Sequence, residues 1–283
     1  MFHSVIIATK GRPSVLQETL ISLAAQDCPP DEIIISATEN RDVEDMVEAG
    51  NIQVLQGAAG LCTQRNTGIR ALNPECGLVT FLDDDVELAP DYCRLLRRFL
   101  EKNTGVEGVG GLLLLNGATR PEAKEAIKQR PQHSAEMAQD TPSLYGCNMS
   151  FRRRAIRDEW FDEKLSLYAW LEDFDFSTRV ARKGRLMLVP EMGLCHLRSP
   201  SGHMSHARFG FAQIMNPWYL AKKGIINRKE LWKIHVLGAV AGNLCNLPTD
   251  ARNRSQRLRG NLRALALIAC GKIQPEAVKH IDM

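Results

Sequence analysis

Over the first 115 residues, short apolar runs rich in β-branched residues alternate with stretches of helical periodicity, and few folds accommodate that alternation. The runs are HSVIIAT (3–9), EIIIS (32–36), 51–55, GLVTFL (77–82) and 109–115. Between them lie a helical pattern over 14–26 with Leu16, Leu20, Leu23 and Ala24 on one face, a polar helix, a helix over 61–72, and one opening at Pro90 and reaching Leu100. Strands and helices at this spacing predict an α/β sheet, parallel in its first part. In open sheets of that kind ligands bind outside the carboxyl ends of the strands. Thr9, Glu39 and the run Asp83-Asp84-Asp85 stand at such ends.

The remaining composition narrows the classes further. With 44 % apolar and 24 % charged residues, the 283-residue chain has the makeup of a globular protein. No stretch reaches about 18 uninterrupted apolar residues, so no spanning helix is expected. The opening MFHSVIIATKGRP lacks the basic start of a secretory signal. Eight cysteines at irregular spacings, none in a C-x-x-C pair, read as reduced cytosolic thiols. The net charge of +3 is uneven: residues 220–283 hold 12 Lys+Arg against 4 Asp+Glu, a basic tail on an acidic body.

Residues 116–142 are polar, contain three prolines and have little periodicity beyond one short helical stretch. They read as a mobile surface loop, either a lid or a plain solvated insertion. From about Pro217 the chain reads as helices, with 257–270 amphipathic: Leu258, Leu262, Leu265 and Ala269 on one face, Arg259 and Arg263 off it.

Four groups of residues carry chemistry. Three aspartates closing a buried strand repel one another unless a cation sits among them, and a divalent ion with oxygen ligands also suits a diphosphate. The alternative is a solvated turn with helix-capping acids. In Gly60-Leu61-Cys62-Thr63-Gln64-Arg65-Asn66-Thr67-Gly68, Arg65 and Asn66 fall in the first turns of a helix, where anions are favoured; the plainer reading is a cap with a surface arginine. Trp170-Leu171-Glu172-Asp173-Phe174-Asp175 places acids at a helix start. They serve either helix electrostatics or a general base with an acceptor-orienting partner, and Trp170 serves either sugar stacking or the core. His196 follows a strand-like 185–189 and is either structural or a third ligand beside Asp85.

In their order along the chain, these motifs resemble glycosyltransferase family 2, with its GT-A fold. Val5–Pro13 looks like the family's first strand and turn, 60–68 like its helix-opening A-R-N-x-G pattern, and Phe81-Leu82-Asp83-Asp84-Asp85 like its D-x-D strand end. Residues 145–153 resemble the segment before its acceptor region. Phe161-Asp162-Glu163 and Glu172-Asp173-Phe174-Asp175 resemble its F-D-E and E-D-x-D elements, and His196 falls where a metal-binding histidine often stands. The match covers roughly 3–200.

The resemblance implies a GT-A catalytic domain over 1–216, with a nucleotide-sugar half (1–115), the flexible loop (116–142) and an acceptor half (143–216). A basic helical extension over 217–283 would follow it. It further implies an inverting, metal-dependent transferase of polysaccharide or glycolipid synthesis, using Mn²⁺ or Mg²⁺ and a UDP-, dTDP- or GDP-sugar. Asp83, Asp85 and His196 would hold the metal; Thr9, Arg12, Glu39, Arg65, Asn66, Asp83 and Asp84 would meet the donor. Trp170 and Glu172 would meet a carbohydrate or lipid-linked acceptor, and Asp173 would be the base. In one departure, Ala37-Thr38-Glu39-Asn40 stands where the family often has a base-reading aspartate, with Glu39 as the substitute.

Two other readings compete: a sugar nucleotidyltransferase, which would need a more glycine-rich loop than Thr9-Lys10-Gly11-Arg12-Pro13, and an inactive carbohydrate-binding member of the same fold. No nucleic-acid motif is present. The expected setting is cytoplasmic, peripheral on the inner face of the membrane where the basic tail meets anionic lipid, and the tail serves equally as core packing or a homodimer interface.

Overall fold

The computed structural model describes residues 1–44, 46, 50–132, 137–197 and 204–281. The chain divides into two compact units. The first holds Met1–Ala59, Thr63–Phe161 and the residues from Phe176 through the last strand; the second holds Gly60–Cys62, Asp162–Asp175 and the C-terminal helices.

The first unit is built on a single mixed sheet. Strands β1 (Phe2–Ala8), β2 (Glu32–Ala37), β3 (Ile52–Gln56) and β4 (Cys76–Asp83) are mutually parallel where they pair. They are followed by the short β5 (Val86–Leu88), the long β6 (Val106–Ala118), β7 (Gln139–Asp140), β8 (Asn148–Arg152) and the long β9 (Arg185–Leu197). Their order across the sheet is β3-β2-β1-β4-β8-β6-β9-β5, with β7 on β9. Antiparallel β8 divides the parallel half from β6 and β9, which run parallel to each other. The expected parallel first part is therefore present, and β5 and β8 are additions. Val-Glu-Leu is too short to give a pattern, and β8 lay inside a segment legible only as a family motif.

Helices α1 (Pro13–Ala24), α2 (Leu61–Ala71) and α3 (Tyr92–Lys102) connect the strands. Pro90 lies ahead of α3, whose N-cap is Asp91, rather than in its first turn. Among its described residues, the polar stretch after β2 forms a short 3-10 turn, Asn40–Val43; the rest of the expected helix, at 45 and 47–49, lies outside the described residues. Residues 116–142 begin as the end of β6 and continue into α4 (Arg120–Lys128), opened by a reciprocal Thr119–Glu122 cap. The part of the expected loop at 133–136 lies outside the described residues.

The core follows from the sequence runs. Val5, Ile7, Ile33, Ile35, Leu78 and Leu82 alternate onto one sheet face and meet Leu16, Leu20 and Leu23 of α1 and Leu96, Phe99 and Leu100 of α3. On β4 and its neighbours, Phe81, Phe151, Phe161 and Phe176 form a ring cluster, with Phe161 and Phe176 stacked 4.0 Å apart. Within the same sheet a polar thread runs from His3 Nε2 to Thr80 Oγ1 (2.8 Å) and from there to Ser150 Oγ (2.8 Å), all fully buried.

The second unit contains the start of α5 (Glu172–Ala181), then α6 (His206–Lys222), α7 (Arg228–Glu230), a π-helical stretch (Leu231–Leu237), α8 (Gly238–Cys245) and α9 (Ala251–Ala269). Helices α6 and α9 cross at Gly210 and Gly260. A Cβ on Gly260 would stand 2.5 Å from Phe211 N and closer still to Ala207 O, so only glycine admits this approach. Beside the crossing, Asn261 Nδ2 donates to Gly210 O (2.6 Å) and Asn243 Nδ2 to Asn261 Oδ1 (2.9 Å). All eight cysteines are free.

Candidate active site

β4 ends in Asp83, which pairs in register with Ala8 at the end of β1. The next two aspartates turn the chain into β5, whose Val86 pairs with His196 on β9. From the other side of β9, His196 pairs with Asn116 of β6. Three strands thereby bring position 196 to the aspartate turn, although 111 residues separate it from position 85. One ligand atom from each of Asp83, Asp85 and His196 lies within 4.8 Å of the others. His196 Nε2 is 3.0 Å from Asp85 Oδ1 and 3.7 Å from Asp83 Oδ2, and its Nδ1 is 2.9 Å from Asn116 Oδ1, which fixes the ring.

The fit of a cation is testable on these atoms. Asp85 Oδ1 is buried and, despite the nearby imidazole, has no well-formed hydrogen bond. Two carboxylates and an imidazole that converge with an unsatisfied buried oxygen among them suit a divalent metal with mixed O/N ligands.

The charges around this group are arranged by Arg12, at the start of α1. Its Nη1 donates to Asp85 Oδ2 (3.0 Å), and its other terminal nitrogen donates to Asp84. Asp84 is fully buried and also accepts from Thr9 Oγ1 (2.7 Å). Burial pushes the Asp84 carboxyl up to about 7; Arg12 and Thr9 oppose that, and Asp85 adds to it. Burial acts the same way on Asp85, but His196 and Arg12 outweigh it and hold its carboxyl below the usual range. For His196, burial favours the neutral ring, yet Asp85 and Asp83 raise its pKa overall.

Arg65 is buried, which overturns the reading of a surface arginine capping α2. Its Nη2 donates to Asp83 Oδ1 (3.1 Å) and Gly146 O (2.9 Å), and its guanidinium lies 5.2 Å from the Phe161 ring centre. Asn66 is also buried, and its amide both donates to Phe161 O and accepts from Phe161 N, each at 2.9 Å. Glu39 projects toward solvent and pairs with Arg41 at 2.7 Å.

Several residues that organise the site had no clear mark in the sequence. Asp42 is buried and takes the N–H groups of Gly11 (2.7 Å), Thr38 (2.7 Å) and Glu39 (3.0 Å), tying the turn after β1 to the end of β2. Burial alone would raise its pKa, but the Thr38 hydroxyl and those N–H groups hold it low. Gln64 Nε2 bridges Thr9 O (2.8 Å) and Ser36 O (2.7 Å) across the same strand ends. The spacing of Glu39 and Asp42, which cap each other, was the one available signal.

Trp170, Glu172 and Asp173 belong to the second unit. The backbone before them is left-handed at Leu167 (φ 63°), Ala169 (φ 53°) and Leu171 (φ 72°), a costly conformation for residues with a Cβ. The Trp170 ring lies edge-to-face on Phe209 (5.1 Å), and its carbonyl accepts from Asn216 Nδ2 (2.8 Å). Asp173 Oδ1 accepts from Phe174 N (2.7 Å). Two places along, Asp175 is fully buried and paired with Lys223 Nζ (2.7 Å), which also holds Asp162 (2.8 Å).

A strand-end Asp-x-Asp with a histidine, backed by the buried Arg65 and the half-buried Arg12, is an arrangement for an anionic ligand, and comparison with known proteins agrees. The model of the family described as Glycosyl transferase family 2 matches residues 4–160, more than half of the chain. The chain belongs to glycosyl transferase family 2. The uncharacterized glycosyltransferase YwdF of Bacillus subtilis (strain 168) is 25 % identical over 217 residues, 73 % of this chain and 78 % of that one. Among solved structures, S. aureus TarS 1–349 superimposes with a TM-score of 0.57 at 15 % identity, covering 96 % of this chain and 92 % of that one. GalNAc-T7 with UDP, GalNAc and Mn²⁺ gives a TM-score of 0.56 at 16 % identity, covering 80 % of this chain and 51 % of that one, so this family 2 chain spans about half of GalNAc-T7. The fold is GT-A with a helical C-terminal region, and the activity is glycosyl transfer.

Proposed function

We propose that this glycosyltransferase moves a sugar, with inversion at the anomeric carbon, from a nucleotide-sugar to an acceptor hydroxyl in polysaccharide or glycolipid synthesis. The observation that carries the reading is the convergence of Asp83, Asp85 and His196 at the strand ends, flanked by Arg12 and Arg65. The donor is a UDP-, dTDP- or GDP-sugar. UDP is the first choice, because GalNAc-T7 is described with UDP and S. aureus TarS in complex with UDP-GlcNAc. Asp83, Asp85 and His196 hold the divalent ion, and an imidazole among the donors favours Mn²⁺ over Mg²⁺. When bound, the ion neutralises the donor diphosphate.

Thr9, Arg12, Glu39, Arg65, Asn66, Asp83 and Asp84 form or support the donor side, and Trp170 and Glu172 the acceptor side. The Asp173 carboxylate takes the acceptor proton as the acceptor oxygen bonds to the anomeric carbon. The bond from that carbon to the diphosphate breaks, and its electron pair leaves with the nucleoside diphosphate. Arg65, fixed by Gly146 and Phe161, stabilises the developing charge without having to reorganise.

The test is a thermal-shift panel of UDP-, dTDP- and GDP-sugars with and without Mn²⁺, followed by an assay for release of the nucleoside diphosphate. A ligand bound only by the folded state raises the midpoint. One nucleotide series should do so in a Mn²⁺-dependent manner, and its donor should be turned over. No shift with any donor, or binding without release of nucleoside diphosphate, would refute the reading.

A further inference from the structure

The segment from α7 to α8 buries Leu231, Val236 and the polar Asn243 and leaves a second apolar row outside. A helix docked on a protein normally buries its apolar stripe and exposes its polar one. Here the positions facing solvent are Ile234, Leu237, Ala241 and Leu244, with Ile234 63 %, Leu237 60 % and Leu244 50 % exposed. The inward positions include the polar Asn243, fully buried against Asn261. That asparagine pair fixes the rotation: turning the helix to hide its leucines would break the bond to Asn261 and expose an interior built for it. Trp232, 44 % exposed and edge-on to Trp218 at 5.2 Å, adjoins the stripe.

The exposed charge along the neighbouring segments is predominantly basic. Lys222, Arg228, Lys229 and Lys233 are exposed in the approach to the stripe, and on α9 exposed Leu262 (66 %) lies between exposed Arg259 and Arg263. Among the described residues from 222 to 263, Glu230 is the single exposed acid, and its carboxylate is turned back on Asn227 N as a helix cap. Arg259 and Arg263 are thus exposed as the sequence pattern expects, whereas Arg257 is half-buried, 4.8 Å over the Phe209 ring and bonded to His206 Nδ1 (3.2 Å).

We propose that this face docks on an anionic lipid surface. Ile234, Leu237 and Leu244 enter the boundary between headgroups and acyl chains, Trp232 sits at the interface, and Lys229, Lys233 and the α9 arginines contact the phosphates. Charge complementarity selects the occupant, because a second copy of this chain would bring the same cations against these. The proposal is independent of which donor or acceptor the enzyme uses. No described helix is long and apolar enough to cross a membrane, so the attachment is interfacial.

The experiment is flotation of the full chain with phosphatidylcholine vesicles, with and without phosphatidylglycerol, at low and high salt, beside sedimentation velocity over a concentration series. Binding should require the anionic lipid and fall with salt. Lys229→Gln/Lys233→Gln should weaken it roughly 25-fold, about fivefold per cation. Ile234→Asp/Leu237→Asp should abolish it while leaving the melting midpoint and donor turnover intact, since both side chains are exposed. Absence of vesicle binding at low salt, or binding that survives Ile234→Asp/Leu237→Asp, would overturn the proposal. So would a concentration-dependent dimer that this double variant disrupts without any vesicle binding, assigning the face to a second copy.

Discussion

His3 offers a quantitative check on the core beneath the site. Its ring is fully buried, with Nε2 held by Thr80 and no partner on Nδ1, so protonation inside the sheet places a charge where water cannot reach it. Burial, helped by Arg97 and the N-terminal amine, lowers its pKa from 6.5 to about 3. The sign follows from proton counts. Between these values the unfolded chain binds a proton that the folded chain refuses, so stability is complete above pH 6.5 and drains away as the pH falls toward 3. From pH 7 to 5 the loss from this one group is about 2 kcal/mol, at about 1.4 kcal/mol per pH unit once below 6.5. Urea unfolding at pH 7 and pH 5 measures it, with His3→Gln as the reference, because an amide keeps the bond to Thr80 and cannot titrate. Carboxylates contribute equally to both proteins and cancel in the difference. The wild type should lose about 2 kcal/mol more than the variant over this interval. Equal losses would show that His3 protonates in the folded state and that the buried thread does not exclude charge.

At the site, Asp85→Ala should abolish Mn²⁺-dependent donor binding in titration calorimetry. His196→Ala should weaken Mn²⁺ affinity more than it lowers the melting midpoint; an unchanged Mn²⁺ dependence would return His196 to a structural role. Asp173→Asn should leave donor binding intact and slow transfer by about 10²–10⁴-fold, and wild-type turnover would remove it as the base. Gly260→Ala forces a methyl into the backbone of α6 and should lower stability by about 3 kcal/mol in chemical unfolding, the upper end of overpacking costs, whereas Gly242→Ala, with open space around it, should cost little.

Most of the parallel half was legible because β1, β2 and β4 are buried on both faces and so read as apolar runs between helical patterns, whereas the edge strand β3 is largely exposed and shows only a short mixed run. In the second half, 109–115, 185–189 and the acids from Glu172 were legible as parts of β6, β9 and α5, but β5 and β8 were not, for a physical reason. β5 is three residues long, and β8 holds its place through pairing with β4 and β6 rather than through any pattern of its own. The grouping of Asp83, Asp85 and His196 stood in the sequence as one of two alternatives for His196, and the family resemblance favoured it. Nothing local connects Asp85 with His196; the connection is the pairing of β5 with β9, which no periodicity encodes. Asn116 shows the same thing more sharply. In the sequence it opens a polar stretch that reads as loop, while in the sheet it lies within β6, pairs with His196 and holds its ring. Arg65 was marked as a candidate with a surface alternative, and only the closure of Gly146 and Phe161 around it decides between them.

The C-terminal helices mislead for the opposite reason, because their pattern is strong. An apolar stripe over 257–270 invites the inference that its leucines face inward. That inference assumes that hydrophobic burial sets the rotation of each helix. Here α6 and α9 meet backbone to backbone through Gly210 and Gly260, and the interface is closed by Asn261 and Asn243. A buried amide that has lost its partners costs about 1–3 kcal/mol, comparable with burying one leucine. The hydrogen-bonded asparagines can therefore dictate rotation against the preference of single leucines, provided the leucines left outside have somewhere to go. The exposed row Ile234, Leu237 and Leu244 is what such a helix leaves over, and its lysine border is the feature that an anionic lipid surface would satisfy.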